Sequence, residues 1–98
     1  MLTHIVLFRF KPATTPEVVT ALVQAFRDLK SQIPEVVSLE SGTNNSPEKL
    51  DKGLTHGFVL TFANAHDRDV YLVHPIHQAF VAQVGPHVDD VLVFDFDH

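Results

Sequence analysis

The sequence predicts a single α+β domain in which an antiparallel four-stranded sheet carries two helices on one face. Three observations support this class. β-favouring apolar runs lie at both ends of the chain and around residues 55–62, two intervening segments have helical apolar spacing, and proline or glycine lies at the junctions. A chain of 98 residues holds one hydrophobic core, so residues 1–98 are predicted to form one domain.

The first strand is predicted over Leu2–Phe10, where the residues are apolar or β-favouring almost throughout. Thr15 and Pro16 then predict a helix start, with a hydroxyl N-cap followed by proline at the first helical position. Pro34 ends the helix. Between these limits an amphipathic stripe recurs at spacings of one, three and four: Val18, Val19, Leu22, Val23, Phe26, Leu29 and Ile33.

The second half begins with two further strands, predicted over residues 36–42 and 55–62, which are joined by a polar, turn-rich loop. Asn64 predicts the N-cap of a second helix. Because proline disfavours a helical conformation in the residue before it, His74 is expected at a kink, and a second helical segment begins at Pro75. Gly85 is predicted to end that segment, and the last strand covers Val88–Asp97.

The resulting order, β-α-β-β-α-β, is the ferredoxin-like arrangement, in which both helices lie on the same face of the sheet. The opposite face, called the bare face below, receives apolar residues that no third layer of the chain covers: Ile5, Leu7, Val59, Leu92 and Phe94. A second copy packed sheet to sheet would cover them, so we predict a homodimer. In the core between sheet and helices, four aromatic side chains are predicted to be buried: Phe8, Phe26, Phe58 and Phe80.

Composition narrows the range of partners. The formal charge is -5, and the seven lysines and arginines are scattered, which argues against nucleic acid and anionic membranes. The chain has no cysteine, so disulfides, thiolate catalysis and cysteine-ligated metals are excluded. No segment has the features of a signal peptide or the length of a membrane span, and the expected location is the cytoplasm.

Four short segments resemble one known family across essentially the whole chain. They begin at His4, Thr55, Tyr71 and Val91 and read HIVLFRFK, THGF, YLVHPIH and VLVFD. Their order and spacing are similar to those of the stress-responsive A/B barrel (Dabb) family. The resemblance implies a dimeric α+β barrel.

The resemblance also implies a chemistry, because a plant cyclase of this family closes a linear poly-β-ketone by intramolecular aldol condensation without metal or organic cofactor. Its catalytic pair matches Tyr71 and His77, and its polar pocket residues match His4, His56 and Asp95. Strand alternation and the helix stripe place further pocket candidates on the same side of the sheet: Val6, Phe8, Phe26, Phe58, Val91 and Val93.

Two positions depart from that cyclase. Phe26 stands where the cyclase has a tyrosine, and Val88 stands where it has a tryptophan. A hydroxyl and a bulky side chain are therefore missing. We expect a more apolar pocket that favours ligands with an aliphatic or aromatic tail.

The predicted mechanism uses His77 as a general base and Tyr71 as a hydrogen-bond donor. A neutral imidazole, with a pKa normally near about 6.5, removes the acidic proton between two carbonyls while the phenol stabilises the enolate oxygen. This chemistry needs no cofactor. The competing interpretation makes Tyr71 and His77 local structural residues, and makes His4 and His56 hydrogen-bonded core histidines that hold strand register.

The alternatives to a cyclase or carbonyl binder are a non-catalytic, stress-associated homodimer and a dimeric-barrel monooxygenase acting on haem or a quinol. The monooxygenase shares the fold, but its site residues are not identifiable in this sequence. A metal site formed by His74 and His77 with His4 or His56 is disfavoured, because histidines three residues apart across a proline are not a recognised ligand pairing.

Overall fold

A computed structural model describes all 98 residues and has the ferredoxin-like order predicted from the sequence. The elements are β1 (Leu2–Phe10), α1 (Pro16–Gln32), β2 (Ser38–Thr43), β3 (His56–Phe62), α2 (Ala65–Val73), α3 (Pro75–Val84), a 3-10 turn (Gly85–His87) and β4 (Val88–Asp97). The strands form one antiparallel sheet in the order β2-β3-β1-β4. β1 and β3 therefore occupy the centre of the sheet, and β2 and β4 are its edge strands.

The helix starts follow from local chemistry. Thr15 has an extended backbone, and its hydroxyl accepts a hydrogen bond from the Val18 N–H. Asn64 caps α2 by accepting from the Asp67 N–H. His74 is extended between α2 and α3, as predicted from Pro75, and its ring Nδ1 accepts from the Ile76 N–H.

Two predicted boundaries need correction. β2 begins at Ser38, because Val36 lies in the preceding turn, where its N–H donates to the Ile33 carbonyl. Val36 is nevertheless buried in the core, which explains its apolar character. β3 begins at His56 rather than Thr55. α3 ends at Val84 with Gly85 as its C-cap, as predicted, and Gly85 opens the 3-10 turn.

The core lies between the sheet and the helices. The four phenylalanines predicted to be buried are each at most 6% exposed: Phe8, Phe26, Phe58 and Phe80. Phe26 stacks on Phe58 with ring centroids 4.1 Å apart, and Phe80 packs against the same ring of Phe26 at 4.9 Å. This aromatic cluster joins α1 and α3 to the centre of the sheet.

The bare face has no covering layer within the chain. Val59, Leu92 and Phe94 are 40%, 43% and 59% exposed on it. Apolar side chains of this size in one contiguous area are typical of an interaction surface. No helix of the structure is long and apolar enough to cross a membrane.

Candidate functional site

An apolar cavity of about 290 Å³ lies between β1 and β4 on the helix side of the sheet and the helices α2 and α3. Eleven of its fourteen lining residues are hydrophobic. Eight lining residues are among those predicted from the sequence: His4, Val6, Phe8, Phe26, Tyr71, His77, Val91 and Val93. The cavity therefore combines an apolar lining with a few convergent polar groups, as small-molecule sites do.

A larger depression, of about 540 Å³, lies on the bare face under the loop between β2 and β3. It is lined mainly by polar loop residues and contains no histidine or tyrosine. This depression is the larger of the two. The smaller cavity is nevertheless the better candidate for a functional site, because it brings a phenol and imidazoles together.

Tyr71 and His77 converge in the smaller cavity. Tyr71 lies near the end of α2 and His77 in the first turn of α3, and the extended His74 changes the chain direction between them. The two ring centroids are 4.3 Å apart. Tyr71 and His77 are six residues apart in sequence, and a continuous helix would place them on different faces. The kink before Pro75 brings the two side chains together.

The tautomer of His77 follows from its backbone partner. Its Nδ1 lies 3.0 Å from the Leu72 carbonyl oxygen, which can only accept, so Nδ1 carries the proton. The neutral ring then has its lone pair on Nε2. Burial lowers the pKa of His77; the Leu72 hydrogen bond raises it, and His4 and His74 lower it further by smaller amounts. His77 is accordingly a neutral base at pH 7.

Tyr71 has the complementary role of a donor. Its side chain is almost fully buried, and burial raises its pKa, so the phenol stays protonated at neutral pH. The hydroxyl makes no hydrogen bond within the chain, yet no fully buried side-chain polar atom is left without a partner. The hydroxyl of Tyr71 therefore opens onto the cavity, where it can donate to a bound molecule.

His4 is held by Asp95, which Arg68 holds in turn. It pairs with Asp95 across β1 and β4, and its Nδ1 lies 2.7 Å from Asp95 Oδ1. Arg68 of α2 donates to the other Asp95 oxygen at 3.0 Å. The His4 ring packs edge-on against Tyr71, with centroids 6.0 Å apart.

Three predicted site residues do not line this cavity. Asp95 lies behind His4 and accepts a hydrogen bond from its Nδ1. Phe58 forms the stacked aromatic cluster with Phe26 and lies in the core.

His56, the third predicted site residue outside the cavity, lies far from His4. The strand register pairs His56 with Phe8, whereas His4 pairs with Leu60. His4 and His56 are thus four residues apart along the sheet, roughly 13 Å at about 3.3 Å per residue. His56 instead packs against Phe10 and lines a separate depression beside α1, where burial lowers its pKa.

The sequence prediction missed several cavity residues. Six lining residues were not predicted: Leu72, Phe80, Val81, Val84, Gly85 and Val88. Phe80, Val81 and Val84 belong to the apolar stripe of α3, which predicts that they face inwards. Such a stripe does not show whether a residue lines a cavity or packs in the core. Arg68, three residues before Tyr71, precedes it on the same helix face and was also missed.

No group of three or more histidine, aspartate or glutamate side chains is arranged to hold a metal ion. His74 in particular is occupied as the N-cap of α3.

The fold and cavity together define a ferredoxin-like α+β domain with acid–base side chains in an apolar cavity. Residues 2–98 match the family model described as Stress responsive A/B Barrel Domain, and the chain belongs to this family. It is 31% identical to stress-response A/B barrel domain-containing protein HS1 of Arabidopsis thaliana, over 95% of this chain and 85% of that protein. It is 23% identical to olivetolic acid cyclase of Cannabis sativa, over 95% and 92%.

Solved structures agree with the fold. The crystal structure of the Arabidopsis thaliana protein At3g17210 has a TM-score of 0.95 at 30% identity, covering 100% of this chain and 95% of that chain. Hydroxynitrile lyase from Passiflora edulis has a TM-score of 0.92 at 23% identity, covering 97% and 90%. A dimeric ferredoxin-like protein from Thermobifida fusca has a TM-score of 0.82 at 25% identity, covering 99% and 90%.

More distant similarity carries less information. A solved antibiotic biosynthesis monooxygenase has a TM-score of 0.79 at 16% identity, covering 100% of this chain and 98% of that chain. At this identity the similarity shows the fold alone.

Proposed function

We propose that this protein is a cofactor-independent acid–base enzyme, or binder, for a small carbonyl compound, with chemistry of the aldol or cyclase type. One observation carries the proposal. The Nδ1–H of His77 is engaged by the Leu72 carbonyl, so the lone pair of Nε2 is available beside the free hydroxyl of Tyr71 in an apolar cavity. A base and an oxyanion donor in one apolar cavity are the two groups that enolisation needs.

The proposed step is balanced within the site. His77 Nε2 takes a proton from the carbon between two carbonyls, and the C–H electron pair moves onto a carbonyl oxygen. The Tyr71 hydroxyl hydrogen-bonds the developing enolate oxygen. In an aldol step on a poly-β-ketone, the enolate carbon then attacks a third carbonyl further along the same molecule, and the new alkoxide takes back the proton from His77. No external oxidant or reductant is consumed.

The lining supports a ligand with an apolar portion. Phe26 and Val88 lie in the cavity, and neither side chain has a polar group. A short alkyl or aryl tail would replace water against these side chains and contribute roughly 0.8 kcal/mol for each buried methylene. The proposed substrate class is therefore a poly-β-ketone with an apolar tail, and a simple 1,3-dicarbonyl compound serves as a probe of the proton-transfer step.

Exchange of a carbon-bound proton tests the base directly. In D₂O at pH 7.5, the wild-type protein should accelerate loss of the central CH₂ signal of nonane-2,4-dione, observed by ¹H NMR. His77→Ala should lower this acceleration by about 10²–10⁴-fold, the usual contribution of a positioned base. Tyr71→Phe should lower it by about 10²–10³-fold, because an oxyanion donor is lost.

His66→Ala is the matched control, since His66 is exposed at the start of α2 and does not line the cavity. It should exchange the probe like the wild type. Equal acceleration by the wild type and His77→Ala would contradict the proposal. Absence of exchange and binding in the wild type would favour the non-catalytic homodimer.

We further propose that two copies pair through the bare face. The exposed side chains of Val59, Leu92 and Phe94 support this arrangement, as does the dimeric state of the Thermobifida fusca structure. The homodimer is compatible with either function, because the cavity lies on the opposite side of the sheet. The monooxygenase alternative gains no support beyond the shared fold.

A further inference from the structure

Arg68, Asp95 and His4 form a continuous chain of hydrogen bonds from α2 to the cavity. The β1–β4 register places His4 and Asp95 directly opposite each other, so their side chains lie on the same face of the sheet. Asp95 Oδ1 accepts from His4 Nδ1 at 2.7 Å, and Asp95 Oδ2 accepts from Arg68 Nη1 at 3.0 Å. Each carboxylate oxygen therefore has its own donor.

Arg68 is itself held in place. Its Nε donates to Asp69 Oδ1 at 3.0 Å, so two carboxylates orient the planar guanidinium. The Arg68 side chain is 23% exposed and that of Asp95 20% exposed, so solvent only partly screens this pair. A carboxylate with a single partner could rotate about its Cβ–Cγ bond. With Arg68 on the second oxygen, rotation would break both hydrogen bonds.

The fixed carboxylate determines which nitrogen of His4 reaches the cavity. An ionised carboxylate only accepts, so His4 Nδ1 carries the proton. The other nitrogen, Nε2, makes no hydrogen bond within the chain, and since no fully buried side-chain polar atom is unpaired, it opens onto the cavity that His4 lines. His4 and His77 thus each use Nδ1 for an internal partner and present Nε2 beside Tyr71.

We infer that Arg68 is a positioning residue for this site: through Asp95 it holds the His4 imidazole with Nδ1–H on the carboxylate and Nε2 directed to the bound molecule. This inference rests on the proposed function, because that function gives the positioned imidazole its use. A fixed Nε2 of His4 can accept a hydrogen bond from a hydroxyl of a bound molecule or exchange a proton with it. A carbonyl compound in its enol form has such a hydroxyl. Arg68 itself does not line the cavity.

The competing role for Arg68 is a tether that fastens α2 to β4. A tether would contribute to stability without affecting the state of the His4 ring. The test therefore needs a measurement on the ring itself. The ¹H and ¹⁵N resonances of the imidazole report which nitrogen is protonated, and they can be recorded on the ligand-free protein.

In the wild type at pH 8, we expect His4 to show a protonated Nδ1 with a low-field N–H signal, and an unprotonated Nε2. In Arg68→Gln this Nδ1–H signal should be lost to exchange, and the two nitrogen shifts should move towards each other as both tautomers become populated. Arg68→Lys keeps the charge without the planar donors, and its spectrum should lie between those two.

A matched control isolates the contact. Arg27→Gln removes an exposed arginine of α1 that does not line the cavity, and it should retain the wild-type His4 spectrum. The inference is overturned if Arg68→Gln keeps that spectrum while only its melting temperature falls, because Arg68 would then be a tether.

Kinetics provide a second readout where the probe is turned over. Arg68→Gln should lower kcat for proton exchange on nonane-2,4-dione by up to about 100-fold through loss of ring alignment, with KM changed less than about twofold. The two proposals fail separately. If the wild type does not exchange the probe, the proposed function fails while the His4 spectra still decide the role of Arg68.

Discussion

The two ends of the helix side of the sheet differ in how fully they are packed. Beneath α1 the aromatic rings of Phe26 and Phe58 stack on each other, whereas beneath α2 and α3 the chain leaves a cavity beside Tyr71. His4 lies at the open end and His56 beyond the packed end. Both histidines were predicted to serve one pocket. The difference teaches that facing the same side of a sheet is not enough to share a site.

The largest expected effect lies at the packed end. Phe58→Ala should lower the free energy of unfolding by about 3–5 kcal/mol, because Phe58 is 1% exposed and its removal leaves a cavity among aromatic neighbours. Val93→Ala at the open end should cost less than about 1 kcal/mol, since Val93 is 57% exposed at the cavity mouth. Urea denaturation measures both. Equal costs would show that the two ends are packed alike.

The next largest expected effect is on dimer formation through the bare face. Phe94→Lys should shift the protein to a monomer at about 10 μM, because a charge would be buried in the proposed interface. Val73→Lys is the control, since Val73 is an exposed valine at the end of α2, where a cation is favourable. Light scattering gives the mass. A dimer that persists in Phe94→Lys would place the interface elsewhere.

Comparison of the two histidines sharpens the assignment of the cavity. His4→Ala should lower proton exchange on nonane-2,4-dione by about 10–100-fold, through loss of an aligned group beside Tyr71. His56→Ala should leave exchange within about twofold of the wild type, because His56 does not line the cavity. NMR exchange rates at saturating probe measure this. A larger loss of exchange in His56→Ala would contradict the conclusion that the aromatic cluster separates His56 from the cavity.

The smallest effect is on the pH profile of exchange. Burial lowers the pKa of His77, so the neutral base persists to more acidic pH than for an ordinary histidine. The exchange rate should be constant near pH 7 and fall as pH decreases through a value below about 6.5, where His77 gains its proton. His56→Ala should show the same profile. A midpoint above 6.5 would mean that the active base is charged at neutral pH in part of the molecules.

Interactions between near neighbours in the chain were sufficient to predict where the helices begin and break. The caps Thr15 and Asn64 and the break before Pro75 depend on near neighbours in the chain, and each was predicted correctly. The error at Val36 has a simple cause, because an apolar residue is buried equally well in a strand or in a turn.

The sequence by itself determined the ferredoxin-like order, the buried aromatic core and the unpartnered apolar face, because periodicity and turn residues are read over a few neighbouring positions. Only the tertiary structure decided which polar groups meet. The β1–β3 register separates His56 from His4, and the turn at His74 brings His77 to Tyr71. Arg68 reaches Asp95 across 27 positions of sequence. Such contacts depend on strand register and helix placement, which the packing of the whole chain sets and no local pattern records.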